Sequence, residues 1–234
     1  IIEDLGDGGL QFDNGGVGIG MLYAYAVTRD GRYLEAARRA GEWAMKRPLV
    51  LNWNYNSFAG WLLARLYRVT GEKQYLDAAR ATVEFGVLPG QMGNGRWFDQ
   101  HNARIQYHSI MMRCLAEFYL ALVQASDRYA ATIKDHLVRG LDNLAAQITT
   151  YGASNVSELL STDALCMGSL ALGSRAEWEK ALNVNINFLC NQFLPELRQR
   201  GYPMTETTAH YLLYRRVRQG KAKATEMLPR LGIG

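Results

Sequence analysis

The chain has 234 residues, of which 48% are hydrophobic and 21% charged, with a net charge of +4 and a pI of about 9.0. This composition is typical of one globular domain with a sizeable core, and no apolar run reaches the roughly 18 residues of a membrane span. The charge mildly favours an anionic partner, but no nucleic-acid-binding motif accompanies it. We therefore expect neither a membrane nor a nucleic-acid partner.

Two kinds of helix alternate along the sequence. Residues 1–16 are rich in Gly and Asp, which predicts a loop. Residues 17–28 are apolar on all sides, as in a buried inner helix, whereas 33–46 has one apolar and one charged face, as in an outer helix. The alternation continues with inner helices over 56–69, 103–124, 156–172 and near 205–218, and outer helices over 73–85, from an N-cap at Asp127 to 148, and from a capping box at Ser174-Arg175-Ala176-Glu177.

The sequence of one helical hairpin turn occurs twice in this pattern. Residues 27–38 return as 69–80, so that Tyr33 and Tyr75 lie 42 residues apart. A repeat of this length is typical of helical hairpins stacked side by side. The sequence therefore predicts an all-α fold in one domain over residues 1–234: an (α/α) toroid or incomplete barrel of four to five hairpins, or part of a larger six-hairpin barrel.

In such a stack every inner helix begins at the same end, so the loops that precede the inner helices meet there. One of these loops carries Asn52, Trp53, Asn54 and Tyr55. Amides pair with sugar hydroxyls and aromatic rings stack on sugar C–H faces, so we expect these four residues to bind a saccharide. The alternative is an Asn N-cap followed by aromatic core residues.

The next such loop carries Trp97, Asp99, His101 and Asn102, which we also expect to bind substrate. On the helix that follows, Arg104, Tyr107 and His108 are neighbours at helical spacing. Arg104 can hold a carboxylate while Tyr107 or His108 moves a proton, so these three are the candidate catalytic residues.

The turns of the type "tGd..YL.aA" resemble those of the (α/α) toroid carbohydrate-active enzymes. Within that group, residues 102–110 resemble the "R-A-L-x-Y-H-x-Y" helix of alginate-lyase-type polysaccharide lyases, and residues 52–61 resemble their "N-N-H-x-Y-W-x-x-W" segment. The resemblance implies that Tyr107 acts as acid and base and that Asn52 or Asn54 neutralises a uronate carboxylate. The chain departs from the second motif in having Trp53 or Tyr55 in place of its His. The implied activity is β-elimination on an acidic poly- or oligosaccharide, without cofactor or metal, and a secreted or periplasmic location follows only from that activity.

Two alternatives remain open at this point. A glycoside hydrolase needs two carboxyl groups flanking the bond, and the candidates are Asp13, Asp99, Glu158 and Asp163. A toroid that binds a glycan or a protein without catalysis is the other. Oligomeric state is not determined by any of these patterns.

Overall fold

The computed structural model describes residues 9–97, 102, 104–153, 157–201 and 205–220, with one isolated antiparallel bridge, Gln91–Trp97, as their only β pairing. The α-helices within these ranges are α1 (Gly9–Thr28), α2 (Gly31–Met45), α3 (Trp53–Thr70), α4 (Lys73–Gly86), α5 (Ile105–Gln124), α6 (Ala130–Tyr151), α7 (Ser157–Leu172), α8 (Ala176–Phe188), α9 (Leu194–Gln199) and α10 (Thr205–Arg218). A π-helical turn, Leu189–Phe193, joins α8 to α9. The prediction of an all-α chain is confirmed.

The helices form an inner row and an outer layer. Each of α1, α3, α5, α7 and α10 packs on the next member of this row, while α2, α4 and α6 pack on α1, α3 and α5, and α8 packs on α6 and α7. Contacts join early residues of neighbouring inner helices, such as Ser109 with Ser161, and also later ones, such as Arg65 with Glu117. The inner helices that these contacts join therefore run in the same direction, and their N-termini lie at one end, as the alternation predicts.

The two copies of the repeat have the same turn. Thr28 Oγ1 donates to the carbonyl of Ala24 at 2.8 Å and accepts from the N–H of Asp30 at 3.2 Å. Thr70 makes the equivalent bonds, at 2.8 Å and 3.1 Å. The left-handed residue is Arg29 (φ 60°) in one turn and Gly71 (φ 75°) in the other. The N-caps also differ, since the Asp30 side chain accepts from the N–H of Arg32 whereas Glu72 makes no side-chain cap bond.

Ion pairs join successive hairpins in the outer layer. Arg38 on α2 bonds Glu72, the N-cap of α4, at 2.5 Å, and Arg80, the residue equivalent to Arg38, pairs with Asp127 in the turn before α6. We call these two pairs the outer joints. All four side chains are a quarter to a third exposed.

The described part of the predicted N-terminal loop, 9–16, is helical instead. Gly15 and Gly18 allow α1 to lie close to α3: a Cβ on Gly15 would stand 2.8 Å from Cβ of Phe58, and one on Gly18 would stand 2.8 Å from Leu62 Cδ2. Tertiary packing of this kind stabilises helices whose own propensity is poor. Composition indicated a loop because glycine disfavours helices, whereas Gly15 is a position of close contact with α3.

Two predicted caps differ from the observed ones. Ser174 donates to Glu179 rather than closing a box with Glu177, and the N-cap of α8 is Arg175. Asp127 Oδ1 accepts from the N–H of Tyr129 at 2.9 Å and so caps the turn that leads into α6, which begins at Ala130. Within the described part of the chain, no helix combines the length and apolar character needed to cross a membrane.

Candidate functional site

Three asparagines from the two predicted loops form one hydrogen-bonded cluster, which we call the amide cluster. Asn52 caps α3, and its Oδ1 accepts from the backbone N–H of Asn54 at 3.3 Å and from Asn54 Nδ2 at 2.7 Å. Asn54 Nδ2 also donates to Asn102 Oδ1 at 2.8 Å, and Asn102 Nδ2 lies 3.4 Å from Asn52 Oδ1. The cluster therefore connects the start of α3 to the approach of α5. Asn54 Oδ1 is buried there without a hydrogen-bond partner.

The aromatic residues of the same loops differ in exposure. Trp53 is partly buried and packs against Gly90, and the partly buried ring of Tyr55 lies 6.2 Å from the ring of Phe12. Trp97 is fully buried, and its Nε1 donates to the carbonyl of Val87 at 2.7 Å. Trp53 and Tyr55 thus remain accessible to a ligand, whereas Trp97 is a core residue that fixes the loop before α5.

The three candidate catalytic residues have different environments at the start of α5. Arg104 is the exposed N-cap, and its carbonyl accepts from the backbone N–H groups of Tyr107 and His108. Tyr107 is partly buried and packs against the core. His108 is fully buried, and its Nε2 lies 2.9 Å from the carbonyl oxygen of Gly140 on α6. The side chain of His108 therefore contacts the outer layer.

Burial decides the protonation of His108. Loss of solvent, and then the nearby charge of Arg96, lower its pKa from 6.5 to about 3, despite the backbone hydrogen bond to Gly140. The imidazole is therefore neutral at physiological pH. With Nε2 protonated, it donates to Gly140, and this arrangement gives His108 a structural contact.

Asp99 and His101, the remaining predicted site residues, lie outside the described residues.

A second group of polar side chains lies deeper among the inner helices. Glu117 on α5 is completely buried and accepts from Arg65 at 2.7 Å and from Arg68 at 2.9 Å, both on α3. Burial would raise the pKa of Glu117, but Arg65, Arg68 and Arg113 outweigh it and hold the pKa below its usual range. Glu117 is therefore ionised and divides its charge between two guanidinium groups.

Aromatic rings complete this group. Arg65 stacks on the ring of Tyr23 at 4.2 Å, and Arg113 stacks on the ring of Trp61 at 4.3 Å. Arg113 also pairs with Asp163 on α7 and has Nη2 3.4 Å from Tyr23 Oη. We call these residues the inner charge cluster, and its members are Tyr23, Trp61, Arg65, Arg68, Arg113, Glu117 and Asp163.

Of the inner charge cluster, the sequence singles out Asp163 as a candidate carboxylate and includes Trp61 in the segment 52–61; Asp163 is paired with Arg113. The signal for the others was available: isolated charges in helices that are otherwise apolar on all sides must be paired. These residues lie far from the helix starts at which the site was predicted. Arg65, for example, is 11 residues after Asn54, or about 16 Å further along α3.

Comparisons with protein-family models, with curated proteins and with solved structures give no match. In the described part of the chain, no group of three His, Cys, Asp or Glu side chains is arranged to hold a metal ion. A cavity of about 640 Å³ lies between α6 and α8 in the outer layer, and none of the predicted site residues lines it.

Proposed function

We propose that this protein is a carbohydrate-active enzyme of the (α/α) toroid type and that it cleaves an acidic, uronate-containing glycan by β-elimination. The observation that carries the proposal is the amide cluster, which brings the two loops with sugar-binding residue types into direct contact. Arg104 and Tyr107 follow the second loop immediately. Asn52 is partly exposed and offers an amide to a hydroxyl group, whereas Asn54 and Asn102 are about 1% exposed and hold the two loops together. Arg104 adds an exposed cation for a carboxylate, and Tyr107 adds a phenol for proton transfer.

The proposed chemistry follows from these groups. Removal of the proton at C5 of the uronate develops negative charge on its carboxylate, which the guanidinium of Arg104 and the amide of Asn52 stabilise. Asn54 does not contribute a donor, because its Nδ2 donates to Asn52 and Asn102. Tyr107, acting as the phenolate, accepts the C5 proton and then donates it to the leaving O4 oxygen. The C4–O bond breaks, a C4–C5 double bond forms, and no oxidant or reductant is required. His108 contributes by fixing the start of α5.

The pairing of Asp163 with an arginine removes one candidate for the general acid of a hydrolase. A hydrolase of the inverting or retaining type needs a protonated carboxyl group opposite a second carboxylate. Asp163 is instead paired with Arg113. Asp13 lies on α1, partly buried, and the side chains of Asp99 and Glu158 lie outside those described.

The test uses Tyr107→Phe, which removes one hydroxyl, with Tyr119→Phe on the same helix as the matched control. Both variants and the unmodified protein are incubated with alginate and other polyuronates. We expect new ultraviolet absorbance from 4,5-unsaturated ends with the unmodified protein and with Tyr119→Phe, and a loss of about a hundredfold or more with Tyr107→Phe.

Product chemistry separates the alternatives in the same experiment. New reducing ends without unsaturation would replace elimination with hydrolysis. Binding to a broad glycan panel without any turnover would instead make the protein a non-catalytic module. Full activity of a folded Tyr107→Phe variant would remove Tyr107 from the reaction.

A further inference from the structure

The inner charge cluster contains more hydrogen-bond donors than acceptors. Arg65 Nε and Nη1, Arg113 Nε and Trp61 Nε1 are buried and have no hydrogen-bond partner. A buried donor without an acceptor costs about 1–3 kcal/mol, and more when the group is charged. Four such nitrogen atoms lie on two neighbouring helices, α3 and α5, and an acceptor from outside the chain would satisfy them.

The electrostatics of the cluster give the sign of that ligand. Arg65 and Arg113 both contact Tyr23, and Glu117, the carboxylate that pairs with Arg65 among the described residues, also pairs with Arg68. Burial lowers the pKa of Arg113, and the neighbouring charge of Arg65 lowers it further, although Tyr23 and Glu117 oppose this. The two guanidinium groups are thus close enough to repel each other, and an anion between them relieves that repulsion.

Burial and the charges of Arg65 and Arg113 also shift the pKa of Tyr23. Burial alone would raise the pKa of its phenol, but the charges of Arg65 and Arg113 outweigh burial and the opposing charge of Glu117, so the pKa is lowered. The groups that face this phenol are therefore Arg65 on α3 and Arg113 and Glu117 on α5, with Asp163 on α7 behind Arg113. A nearby anion would oppose ionisation of Tyr23, which makes this residue an internal reporter of occupancy.

The cluster lies closest to solvent on one side. Arg65 is 1% exposed and Glu117 is fully buried, whereas Trp61 is 7% exposed, Arg113 is 9% exposed and Tyr23 is partly exposed. A ligand from solvent would therefore approach from the side of Trp61, Arg113 and Tyr23. A carboxylate suits this side, because its two oxygens can accept separately from Trp61 Nε1 and Arg113 Nε, and a hydrogen bond from a charged donor to a charged acceptor is strong.

We propose that Tyr23, Trp61, Arg65 and Arg113 form a binding site for a carboxylate, separate from the amide cluster. The indole N–H, the phenol and the guanidinium groups supply donors from three inner helices, and Glu117 and Asp163 hold the arginines in position. This site does not depend on the proposed lyase reaction, since it requires only binding.

The test measures binding of free glucuronate and of acetate by calorimetry, with methyl glucoside as the neutral control. None of these probes is a polyuronate chain, so failure of the lyase proposal leaves the result unaffected. We expect both carboxylates to bind and methyl glucoside not to bind. Trp61→Phe, which keeps an aromatic ring under Arg113 but removes the N–H, should weaken carboxylate binding about tenfold or more. Tyr107→Phe should leave it unchanged.

A second readout is the ultraviolet titration of tyrosine, with Tyr23→Phe identifying the band of Tyr23. We expect glucuronate to move this titration to higher pH, because a bound anion disfavours the phenolate. The proposal would be overturned if neither carboxylate bound, or if Trp61→Phe bound them as tightly as the unmodified protein. It would also be overturned if saturating glucuronate left the titration of Tyr23 unchanged.

Discussion

His108 is a candidate catalytic residue from its sequence position, but in the structure its side chain is buried and makes a structural contact. Its position beside Tyr107 at a helix start is predictable from the sequence, as is the helical spacing that makes the two residues neighbours. Its contact with Gly140 is not, because that contact depends on the approach of α6, and Gly140 is more than thirty residues from His108 in sequence. Local spacing locates a side chain on a helix, but packing of the next hairpin decides whether solvent reaches it.

The pKa of His108 predicts a pH dependence of stability. Because the folded pKa of about 3 lies below the unfolded value near 6.5, the unfolded chain binds an extra proton as the pH falls below 6.5. The stabilisation is complete above pH 6.5 and is lost between there and about pH 3, with a slope of up to about 1.4 kcal/mol per pH unit. We expect His108→Gln to reduce the difference in unfolding free energy between about pH 7.5 and pH 5 by about 2 kcal/mol, measured by urea unfolding.

His136→Gln is the comparison for that measurement. His136 is partly buried, and burial and Arg139 lower its pKa, but it is not sealed in the core as His108 is. A pH dependence that is the same in His108→Gln and the unmodified protein would contradict burial of a neutral imidazole at this position.

The elements of the fold follow from the sequence more closely than the site does. Periodicity predicts the alternation of inner and outer helices, because a helix buried on all sides and a helix with one wet face have different composition. The predicted ends are off by a few residues where a cap decides them, as at α3, which begins at Trp53, and at α6, which begins at Ala130. The start of α1 could not be predicted from composition, because Gly15 is a position of close contact with α3.

The repeated turn provides a prediction at this scale. Gly71 has φ 75°, and a Cβ added to it would meet no atom within 4 Å. The cost of Gly71→Ala is therefore that of the left-handed backbone alone, and we expect the unfolding free energy to fall by about 1 kcal/mol. Chemical denaturation measures this change.

Arg29→Gly is the reciprocal variant, since Arg29 occupies the equivalent position with φ 60°. It should raise the unfolding free energy, by less than about 1 kcal/mol because the contact of Arg29 with the ring of Tyr25 is lost. A stabilising Gly71→Ala would mean that the two turns do not share one backbone conformation.

At the scale of the whole molecule, the inner row is held by close approach of its helices and by buried charge pairs between them. The amide cluster was predictable as a meeting of loops, because parallel inner helices begin at one end. The inner charge cluster was not, because its members come from four helices and their partners depend on the rotation of each helix about its axis. Sequence alone gives which helices are inner, but not which of their residues face one another.

The contact between α1 and α3 can be tested with two adjacent glycines. A Cβ on Gly15 would stand within 3 Å of the backbone of Phe58, whereas one on Gly16 would meet nothing within 4 Å. We expect Gly15→Ala to lower the unfolding free energy by about 1–3 kcal/mol, because α1 must move away from a backbone that cannot yield. Gly16→Ala should raise it by about 0.5–1 kcal/mol through helix propensity. If both variants changed the unfolding free energy equally, Gly15 would not be the residue at which α1 contacts α3.

The outer joints give the two layers different sensitivities to salt. Arg38–Glu72 and Arg80–Asp127 are partly exposed, so dissolved ions screen them, whereas Arg65–Glu117 lies beyond the reach of ions. Rising ionic strength therefore loosens the links between α2 and α4 and between α4 and the turn before α6, while the inner row keeps its connections. The bending stiffness of the row of hairpins should therefore depend on salt concentration at its outer layer and be insensitive to salt at its inner row.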